Sequence, residues 1–434
     1  MNGFVRSYQS WGVRATGLKS DTTYYYQVGC EGHYSPIQSF TTAPAEGDLT
    51  LAFYGDIQGA YNQFPEAIKA LEGRYPDIDL NLQAGDVSDD GQAYSDWTNA
   101  YSGFGSYLSS RIWAPTIGNH DSLNPDYTYH FNNPNATENG KTQAGGDYYY
   151  SYGPGLFIVL NTNNYNVAEH EKAIAEAVAS DPDAAWRVVT IHQDIYGTGL
   201  DHSDTDGMIL RTQLTPVFDR YDIDVVLQGH DHTYSRSKLL YGDGQTHNNY
   251  EFQLNAEGSD YDWDHAYDIT NSTQIPLSPE EGDADGSALL TAFQQDNRCY
   301  TIESTTGNTA VNPKGILYMS ANSASGSKFY ELIAAQQDYI ANRSQNWLPS
   351  YSVIDMDSDS FSITTYQITA EGKVEAIDDT FTIQKTDGAA TLTEGGETYY
   401  RLRDVAASVT GSANQFDVSW NGGVVIETKT AYTG

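Results

Sequence analysis

The feature that most constrains the fold is a regular alternation of short β-type runs and helical segments, which starts near Asp48. The first five segments are the strand LTLAFYGD, the helical pattern QFPEAIKALEGRYP, the strand IDLNLQAGD, a helix-like stretch to Tyr107 and the strand RIWAPTIGNHD. Strands and helices in this order favour a mainly parallel sheet with helices on its faces.

The alternation continues along the chain, and a second set of strands follows it. The further strands are YYYSYGPGLFIVLNT, WRVVTIHQD and IDVVLQGHDHTYSRS, with helical spacing over residues 168–179 and 210–221 between them. Strand-type sequence returns in GILYMSANS, WLPSYSVIDMD, SFSITTYQIT and DDTFTIQKTD, which can form a second, partly antiparallel sheet. We therefore predict an α/β (α+β) fold with two mixed sheets, flanking helices and small β-rich segments at both ends.

Changes in composition divide the chain into three parts. Residues 1–45 contain alternating β-type runs, residues 46–387 hold the strand and helix alternation, and residues 388–434 have a strand, helix and hairpin pattern of their own. Within the central part, residues 238–311 are rich in Asp, Asn, Gln, Gly and Ser and form a predicted acidic insertion. A lid, a substrate loop and a passive insertion are all compatible with such a segment.

The two end segments resemble modules of exported proteins. Residues 1–45, with a Gly-Leu turn, a Tyr-rich strand and a Phe-Thr-Thr strand, resemble the last strands of a fibronectin type III-like domain. The runs YYRLRDVA and DVSWNG in residues 388–434 resemble the stalk-type module named after the N-terminal domains of copper amine oxidases. These resemblances imply a secreted or cell-surface protein, whereas the start MNGFVRSYQSWG shows no signal-peptide pattern.

The charge of the chain excludes several classes of partner. With 22 basic and 58 acidic residues the net charge is −36, which opposes binding to nucleic acid and to anionic membranes. An anionic substrate would therefore need local positive charge, which metal ions can supply. The two cysteines, Cys30 and Cys299, make neither a disulfide framework nor a cysteine-based zinc site, and no apolar run reaches membrane-spanning length.

The strands of the alternating region end in side chains that can bind metal ions. In chain order these are Asp56 in GDIQ, Asp86 in GDVSDD, Asn119 in GNHD, His192 in TIHQD, and His230 and His232 in GHDH. In open α/β sheets the ligand crevice lies beyond the carboxyl ends of the strands, so these side chains should converge. Oxygen donors mixed with imidazoles suit transition metals rather than calcium. Six ligands exceed the needs of one ion, so the sequence predicts two transition-metal ions, with Asp86 between them.

Each of these residues also has an ordinary structural explanation. An Asp at the end of a strand is often a turn former or a helix cap, and an imidazole in an apolar strand such as that of His192 is often a core residue. His230 and His232 form a stronger pair, because alternate residues of a strand share a face. The metal interpretation therefore depends on the whole series of motifs rather than on any one of them.

The ordered series resembles the calcineurin-like metallophosphoesterases. GD-x-Q, GD-x-x-D, GNHD, an apolar strand ending in His, and GHDH occur in the order and approximate spacing of that family over residues 48–386, and GHDHTYSRS resembles its purple acid phosphatase branch. The resemblance implies that one metal, Fe, Zn or Mn, is bound by Asp56 and His232. It assigns the other to Asn119, His192 and His230, with a bridging water or hydroxide as nucleophile. His120 would be the general acid, and Asp121 would orient or tune it.

The sequence departs from that family at two positions. Asp89 stands where purple acid phosphatases have the Tyr whose phenolate binds ferric iron and gives the colour, so this chain should not be purple. Asp89 could itself ligate weakly or only contact the ligands from outside. Gln58 stands where the wider family has a His in the first motif, and it could ligate weakly or only donate a hydrogen bond. His202 and Arg236 are candidate substrate contacts, although a solvated and a structural role, respectively, are open alternatives.

The sequence therefore predicts a hydrolase that cleaves phosphomonoesters with a dinuclear metal site. A phosphodiesterase acting on nucleotides or lipid headgroups is the alternative within the same class. A surface binding or structural protein with a degenerate metal site is the alternative outside it, because Gln58 and Asp89 depart from the expected ligands.

Overall fold

The computed structural model describes residues 9–44, 47–200, 202–203, 207–254, 256, 261–262, 264–280, 282–386, 391–394, 397–400, 402, 405–406, 409–410, 412–420 and 424–432. Its helices are α1 (Phe64–Arg74), α2 (Tyr94–Phe104), α3 (Asp126–His130), α4 (Val167–Ser180), α5 (Gly207–Arg220) and α6 (Ala284–Asp296), with a 3-10 turn at Tyr107–Ser109.

The strands follow the same order along the chain. The first fourteen are β1 (Thr23–Tyr26), β2 (Gly29–Cys30), β3 (His33–Tyr34), β4 (Gln38–Thr41), β5 (Leu49–Tyr54), β6 (Leu80–Gln83), β7 (Trp113–Pro115), β8 (Tyr148–Tyr152), β9 (Gly155–Val159), β10 (Trp186–Thr190), β11 (Val225–Gln228), β12 (Tyr234–Ser237), β13 (Leu239–Gly242) and β14 (Tyr250–Glu251). The others are β15 (His265–Asp268), β16 (Thr273–Pro276), β17 (Tyr300–Glu303), β18 (Thr309–Val311), β19 (Leu317–Ser320), β20 (Ile340–Ser344), β21 (Ser350–Met356), β22 (Ser360–Ile368), β23 (Val374–Ala376), β24 (Phe381–Gln384), β25 (Thr391–Glu394), β26 (Glu397–Tyr400), β27 (Phe416–Trp420) and β28 (Val424–Thr428).

Two mixed sheets form the centre of the fold. The seven-stranded sheet has the order β20-β12-β19-β11-β10-β9-β8, in which β9, β10, β11 and β19 are parallel. The eight-stranded sheet has the order β18-β24-β22-β21-β5-β6-β7, with β23 on β22, and its parallel pairs are β5 with β6, β6 with β7, and β18 with β24. This architecture confirms the predicted α/β (α+β) fold with two mixed sheets.

The strands are buried on both faces because helices cover the outer side of each sheet. Leu51 and Phe53 of β5 pack against Leu227 of the other sheet in the core between the two sheets. Tyr54 points to the opposite face, where it packs with Phe64 of α1. Helices α4 and α5 cover the outer face of the seven-stranded sheet in the same way. The parallel strands are therefore mostly apolar, and the ligand-type polar residues follow their carboxyl ends.

The segment 238–311 folds into elements of its own. Strands β14 to β16 form a small sheet, and helix α6 packs with them against Met208 and Ile209 of α5. The last three residues of this segment, Thr309–Val311, pair in parallel with β24 of the eight-stranded sheet. The insertion over residues 238–311 stays a prediction, and its last strand lies at the edge of the eight-stranded sheet.

The described end segments form short hairpins. Strand β1 pairs with β4, and the hydroxyl of Tyr26 donates a hydrogen bond to the carbonyl of Ser109 at 2.6 Å. In the C-terminal part, β25 pairs with β26 and β27 pairs with β28. The resemblances to a fibronectin type III-like domain and to a stalk-type module stay predictions.

Candidate metal centre

The ligand-type side chains lie together at the carboxyl ends of the parallel strands. One ligand atom each of Asp86, His192 and His230 lies within 4.8 Å of the others. These residues follow β6, β10 and β11, so strands of both sheets contribute to the group. Nε2 of His192 is also 2.8 Å from Oδ1 of Asn119, which follows β7. The structure thus brings four of the six predicted ligands into one cluster.

A second group of ligand-type atoms surrounds Asp56. Oδ2 of Asp56 lies 3.1 Å from Nε2 of His232, yet this oxygen makes no hydrogen bond. Gln58 is buried beside them, with its Nε2 at 3.3 Å from Nε2 of His232 and its Oε1 without a partner. Buried polar atoms are almost always satisfied, so two unpartnered oxygens beside an imidazole fit a bound cation.

Backbone carbonyls determine which nitrogen of each ligand imidazole is available. Nδ1 of His192 is 2.8 Å from the carbonyl of Ala84, and Nδ1 of His232 is 2.7 Å from the carbonyl of Lys328. A carbonyl can only accept, so Nδ1 is the donor in both rings and Nε2 is the nitrogen that faces the cluster. Such outer contacts are typical of metal-ligating histidines.

The turns that carry the ligands have unusual backbone conformations. Asp86, His230 and His232 have φ values of 53°, 66° and 47°, which lie in the left-handed region. His230 and His232 therefore stand in a turn between β11 and β12, and the expectation that they share a face of a strand was wrong. Both still reach the site, because the amide of His230 donates to Oδ1 of Asp56 at 3.0 Å and so pins this turn to the first motif.

Burial and neighbouring charges shift the pKa values of the carboxyl and imidazole groups in the cluster. Burial raises the pKa of the Asp86 carboxyl well above its usual range, and the charge of Asp56 adds to the effect. Burial also lowers the pKa of His192, and it lowers that of His230 well below the usual value, so both imidazoles are neutral. Burial alone would raise the pKa of Asp56, but His232 outweighs it and lowers that pKa. Neutral imidazoles beside buried carboxylates are the donor set that transition ions need.

His120 stands at the margin of the cluster with its ring held from one side. Its Nδ1 is 2.6 Å from the carbonyl of Asp89, and its Nε2 is 4.0 Å from Oδ2 of Asp86. The side chain of Asp89 is 56% exposed and lies beside His120 rather than among the ligands, which corrects the option that Asp89 ligates a metal. Gln58, in contrast, lies within the ligand cluster.

Asp121 is buried, and it holds two turns of the site together. Its oxygens accept hydrogen bonds from the amides of Val87, Ser88 and Gly118 and from the hydroxyl of Ser88, at 2.8–3.1 Å. Among the described contacts of Asp121 none joins it to the imidazole of His120. The carbonyl of Asp89 is the group that contacts this ring, and an orienting or tuning role of Asp121 stays a prediction.

His202 lies next to the ligands, and a segment that the sequence did not single out completes the wall of the site. The ring of His202 is 4.1 Å from that of His230 and 5.1 Å from that of Tyr330, measured between centroids. Tyr330 also packs at 5.4 Å from His232. Burial alone would lower the pKa of the neighbouring Lys328, but Tyr330 and the charges of Asp86 and Asp56 raise it. No motif marks this segment in the sequence.

Asp231, between the two ligands of GHDH, joins their turn to the loop that carries His202. Its Oδ2 accepts hydrogen bonds from the amides of Thr198 and Gly199 at 3.1 and 2.5 Å and from the hydroxyl of Ser203 at 2.6 Å. The buried guanidinium of Arg211 donates to the carbonyls of Ile195 and Ser203 in the same loop. The loop that carries His202 is therefore fixed to the ligand turn.

Arg236 does not take part in this arrangement. Its Nε donates to Oδ2 of Asp378 at 2.7 Å, and its guanidinium lies 4.9 Å from the ring of Phe381. The side chain is 7% exposed. This placement corrects the expectation of a substrate contact, because the charge of Arg236 is used in a buried ion pair that packs the strands together.

Gly118 offers a test of how tightly these turns are packed. A Cβ added there would overlap Oδ1 and the amide of Asp86 and would lie 2.8 Å from its Cα. We expect Gly118→Ala to lower the free energy of unfolding by about 1–3 kcal/mol through overpacking, and to lower the metal content by displacing Asp86. Thermal unfolding and elemental analysis measure both effects.

The matched control is Gly73→Ala in α1, where an added Cβ meets no atom within 4 Å. This change should stabilise the chain by roughly 0.5–1 kcal/mol, because Ala favours a helix more than Gly. Equal stability and metal content in the two variants would contradict the close packing of Gly118 on Asp86.

Comparison with known proteins gives one family and a set of relatives. Residues 49–234 match the family model described as calcineurin-like phosphoesterase. Purple acid phosphatase 21 of Arabidopsis thaliana is 28% identical over 246 residues, which cover 53% of this chain and 53% of that protein. Fe(3+)-Zn(2+) purple acid phosphatase 12 of the same species is 24% identical over 242 residues, which cover 51% of each. The chain thus spans about half the length of the curated relatives it matches.

Among solved structures, purple acid phosphatase PPD1 from yellow lupin (Lupinus luteus) superposes with a TM-score of 0.58 at 15% identity. The match covers 85% of this chain and 61% of that chain, and it shows that the fold is shared. Among the described residues, no helix combines the length and the apolar character needed to cross a lipid bilayer.

Proposed function

This chain contains a calcineurin-like phosphoesterase domain and has purple acid phosphatase relatives, and from that premise we propose that it hydrolyses phosphomonoesters with two transition-metal ions. The observation that carries the proposal is that ligand atoms of Asp86, His192 and His230 lie within 4.8 Å of one another, near the buried Asp56–His232 pair. Six ligand-type residues at one edge exceed what a single ion requires.

The chemistry of the donors supports a division between two ions. Asp56 and His232 would hold one ion, with Gln58 as a weak additional ligand, and Asn119, His192 and His230 would hold the other, with Asp86 between the two. When bound, two transition cations neutralise phosphoryl charge and make water a better nucleophile. The relative whose name specifies Fe(3+) and Zn(2+) supports Fe or Zn as the ions, and Mn fits the same donors.

His120 is the residue best placed to protonate the leaving oxygen. The carbonyl of Asp89 holds its Nδ1, so Nε2 is the atom that can exchange a proton with a substrate. The side chain is 28% exposed at the margin of the cluster, so a bound ester can reach it from solvent. Asp121 acts as a positioning residue, because it fixes the turn that carries His120 to the turn that carries Asp86.

His202 is proposed as a substrate contact. Its ring lies against that of His230, and its loop is fixed to Asp231. An imidazole at this place can donate a hydrogen bond to a phosphoryl oxygen of a bound ester.

The test combines elemental analysis with hydrolysis of p-nitrophenyl phosphate and bis(p-nitrophenyl) phosphate. We expect two transition ions per chain, faster turnover of the monoester, and loss of activity on chelation that added metal restores. Faster turnover of the diester would favour a phosphodiesterase instead. Less than one ion per chain together with no hydrolysis would favour a binding protein with a degenerate site.

Colour gives an independent check on Asp89. Because a carboxylate stands where the ferric-binding phenolate would be, we expect no tyrosinate-to-iron absorption band in the iron-loaded protein.

We also propose a secreted or cell-surface location, which rests on the resemblances of the two end segments.

A further inference from the structure

The segment between β19 and β20 forms one wall of the candidate metal centre. The backbone carbonyl of Lys328 accepts the hydrogen bond from Nδ1 of His232 at 2.7 Å. Two residues on, the ring of Tyr330 packs edge-on against both His232 and His202, at 5.4 and 5.1 Å between centroids. Lys328 is therefore tied to the ligand cluster through its backbone and through its neighbour Tyr330.

The ammonium group of Lys328 lies on the same side of the site. Its Nζ is 5.4 Å from the centroid of the Tyr330 ring, whose other contacts are the imidazoles of His232 and His202. The side chain is half-buried. Among the described residues, no carboxylate forms an ion pair with Nζ, and the groups that raise the pKa of Lys328 are Tyr330 and, through their charges, Asp86 and Asp56.

Neighbouring arginines differ from Lys328 in this respect. Arg343 donates to the hydroxyl of Thr198 and to the carbonyl of Ile333, and Arg236 is paired with Asp378. These guanidinium groups hold the fold together. The ammonium group of Lys328 can therefore attract an anion beside the ligand-type residues. The net charge of −36 of the chain otherwise repels anions.

We propose that Lys328 binds the phosphoryl group of the substrate and gives the site its preference for phosphate monoester dianions over phosphate diesters. This inference rests on the proposed function. A monoester dianion carries one more negative charge than a diester, and a diester replaces one charged oxygen by a second alkyl or aryl group. A fixed ammonium beside the ligands therefore gains more from the dianion, and a charge-assisted contact is about twice as strong as a neutral one.

The test compares the metal-loaded wild type with Lys328→Met and Lys328→Arg. Methionine removes the charge and keeps the backbone carbonyl that holds His232, whereas arginine keeps the charge. We expect Lys328→Met to raise KM for p-nitrophenyl phosphate and Kd for inorganic phosphate about tenfold. KM for bis(p-nitrophenyl) phosphate and Kd for dimethyl phosphate should change less than about threefold. Lys328→Arg should restore most of the lost affinity.

Lys69→Met on α1 is the matched control, because it removes the same charge from a side chain that is 79% exposed and forms an ion pair with Glu66 at 3.7 Å. Elemental analysis of each variant checks that the ligands still hold their metal. If Lys328→Met behaves like Lys69→Met, or weakens the monoester and the diester equally, the inference is overturned.

Titration calorimetry with inorganic phosphate and dimethyl phosphate separates this inference from the proposed function, because it requires no turnover. If neither ester is hydrolysed, the proposed function fails. A selective tenfold loss of phosphate affinity in Lys328→Met, reversed in Lys328→Arg, would then still support the role of Lys328. The absence of such a loss would overturn it.

Discussion

Asp86→Asn is expected to lower kcat/KM about a thousandfold and to reduce the metal content of the protein. The change removes the negative charge that lies between the two proposed ions while keeping the shape of the side chain. Asparagine tolerates the left-handed backbone of this position, where φ is 53°, and its amide oxygen can still accept the hydrogen bond from the amide of His120. The fold should therefore be kept, so the loss reports on the metal site. Steady-state kinetics and elemental analysis measure it.

Asp222→Asn is the matched control for that variant. Asp222 also has a left-handed backbone, with φ of 49°, but its side chain is 89% exposed near the end of α5. The same chemical change at the same kind of backbone position should leave activity and metal content unaltered. An Asp86→Asn protein that keeps both ions and the wild-type rate would refute the assignment of Asp86.

His120→Ala is expected to lower kcat by about 10²–10⁴ for an alkyl phosphate such as glycerol phosphate. The loss should be far smaller for p-nitrophenyl phosphate, because nitrophenolate is a stable leaving group that hardly needs a proton. We expect this difference between the two esters because the carbonyl of Asp89 holds Nδ1 of His120, so that Nε2 is the nitrogen that faces a bound ester. Rates measured on both esters give the comparison.

His265→Ala serves as the control, since His265 of β15 lies outside the ligand cluster and pairs with Asp262. This variant should hydrolyse both esters like the wild type. Equal losses on the two esters in His120→Ala would mean that His120 contributes to substrate binding and not to protonation of the leaving group.

The part of the site that could be predicted from the sequence is the part that follows from parallel strands. Strands β5 and β6 are adjacent and parallel, so Asp56 and Asp86, which follow their carboxyl ends, must lie close together. The same rule brings in His192 after β10 and His230 after β11. Each of these residues follows an apolar run directly, so local sequence was enough to find it.

Lys328 and Tyr330 could not be found in this way. They follow β19, which lies between β11 and β12 in the sheet. In the chain, the segment 238–311, which is 74 residues long, lies between β12 and β19. No periodicity in the chain encodes that placement. The error over Arg236 has a related cause, because the pairing of this residue with Asp378 is an interaction between positions 142 residues apart.

The left-handed conformations of Asp86, His230 and His232 imply that the candidate metal centre lowers the free energy of unfolding of the chain. Each non-glycine residue held in this region costs of order 1–3 kcal/mol of folding free energy. The free energy of unfolding of a folded protein is only about 5–15 kcal/mol. Glycine at any of these three positions would recover part of that energy, because it adopts this conformation without the penalty. Such a variant should resist heat better while it loses one ligand-type side chain of the candidate site, so stability and the proposed chemistry cannot both be greatest at these turns.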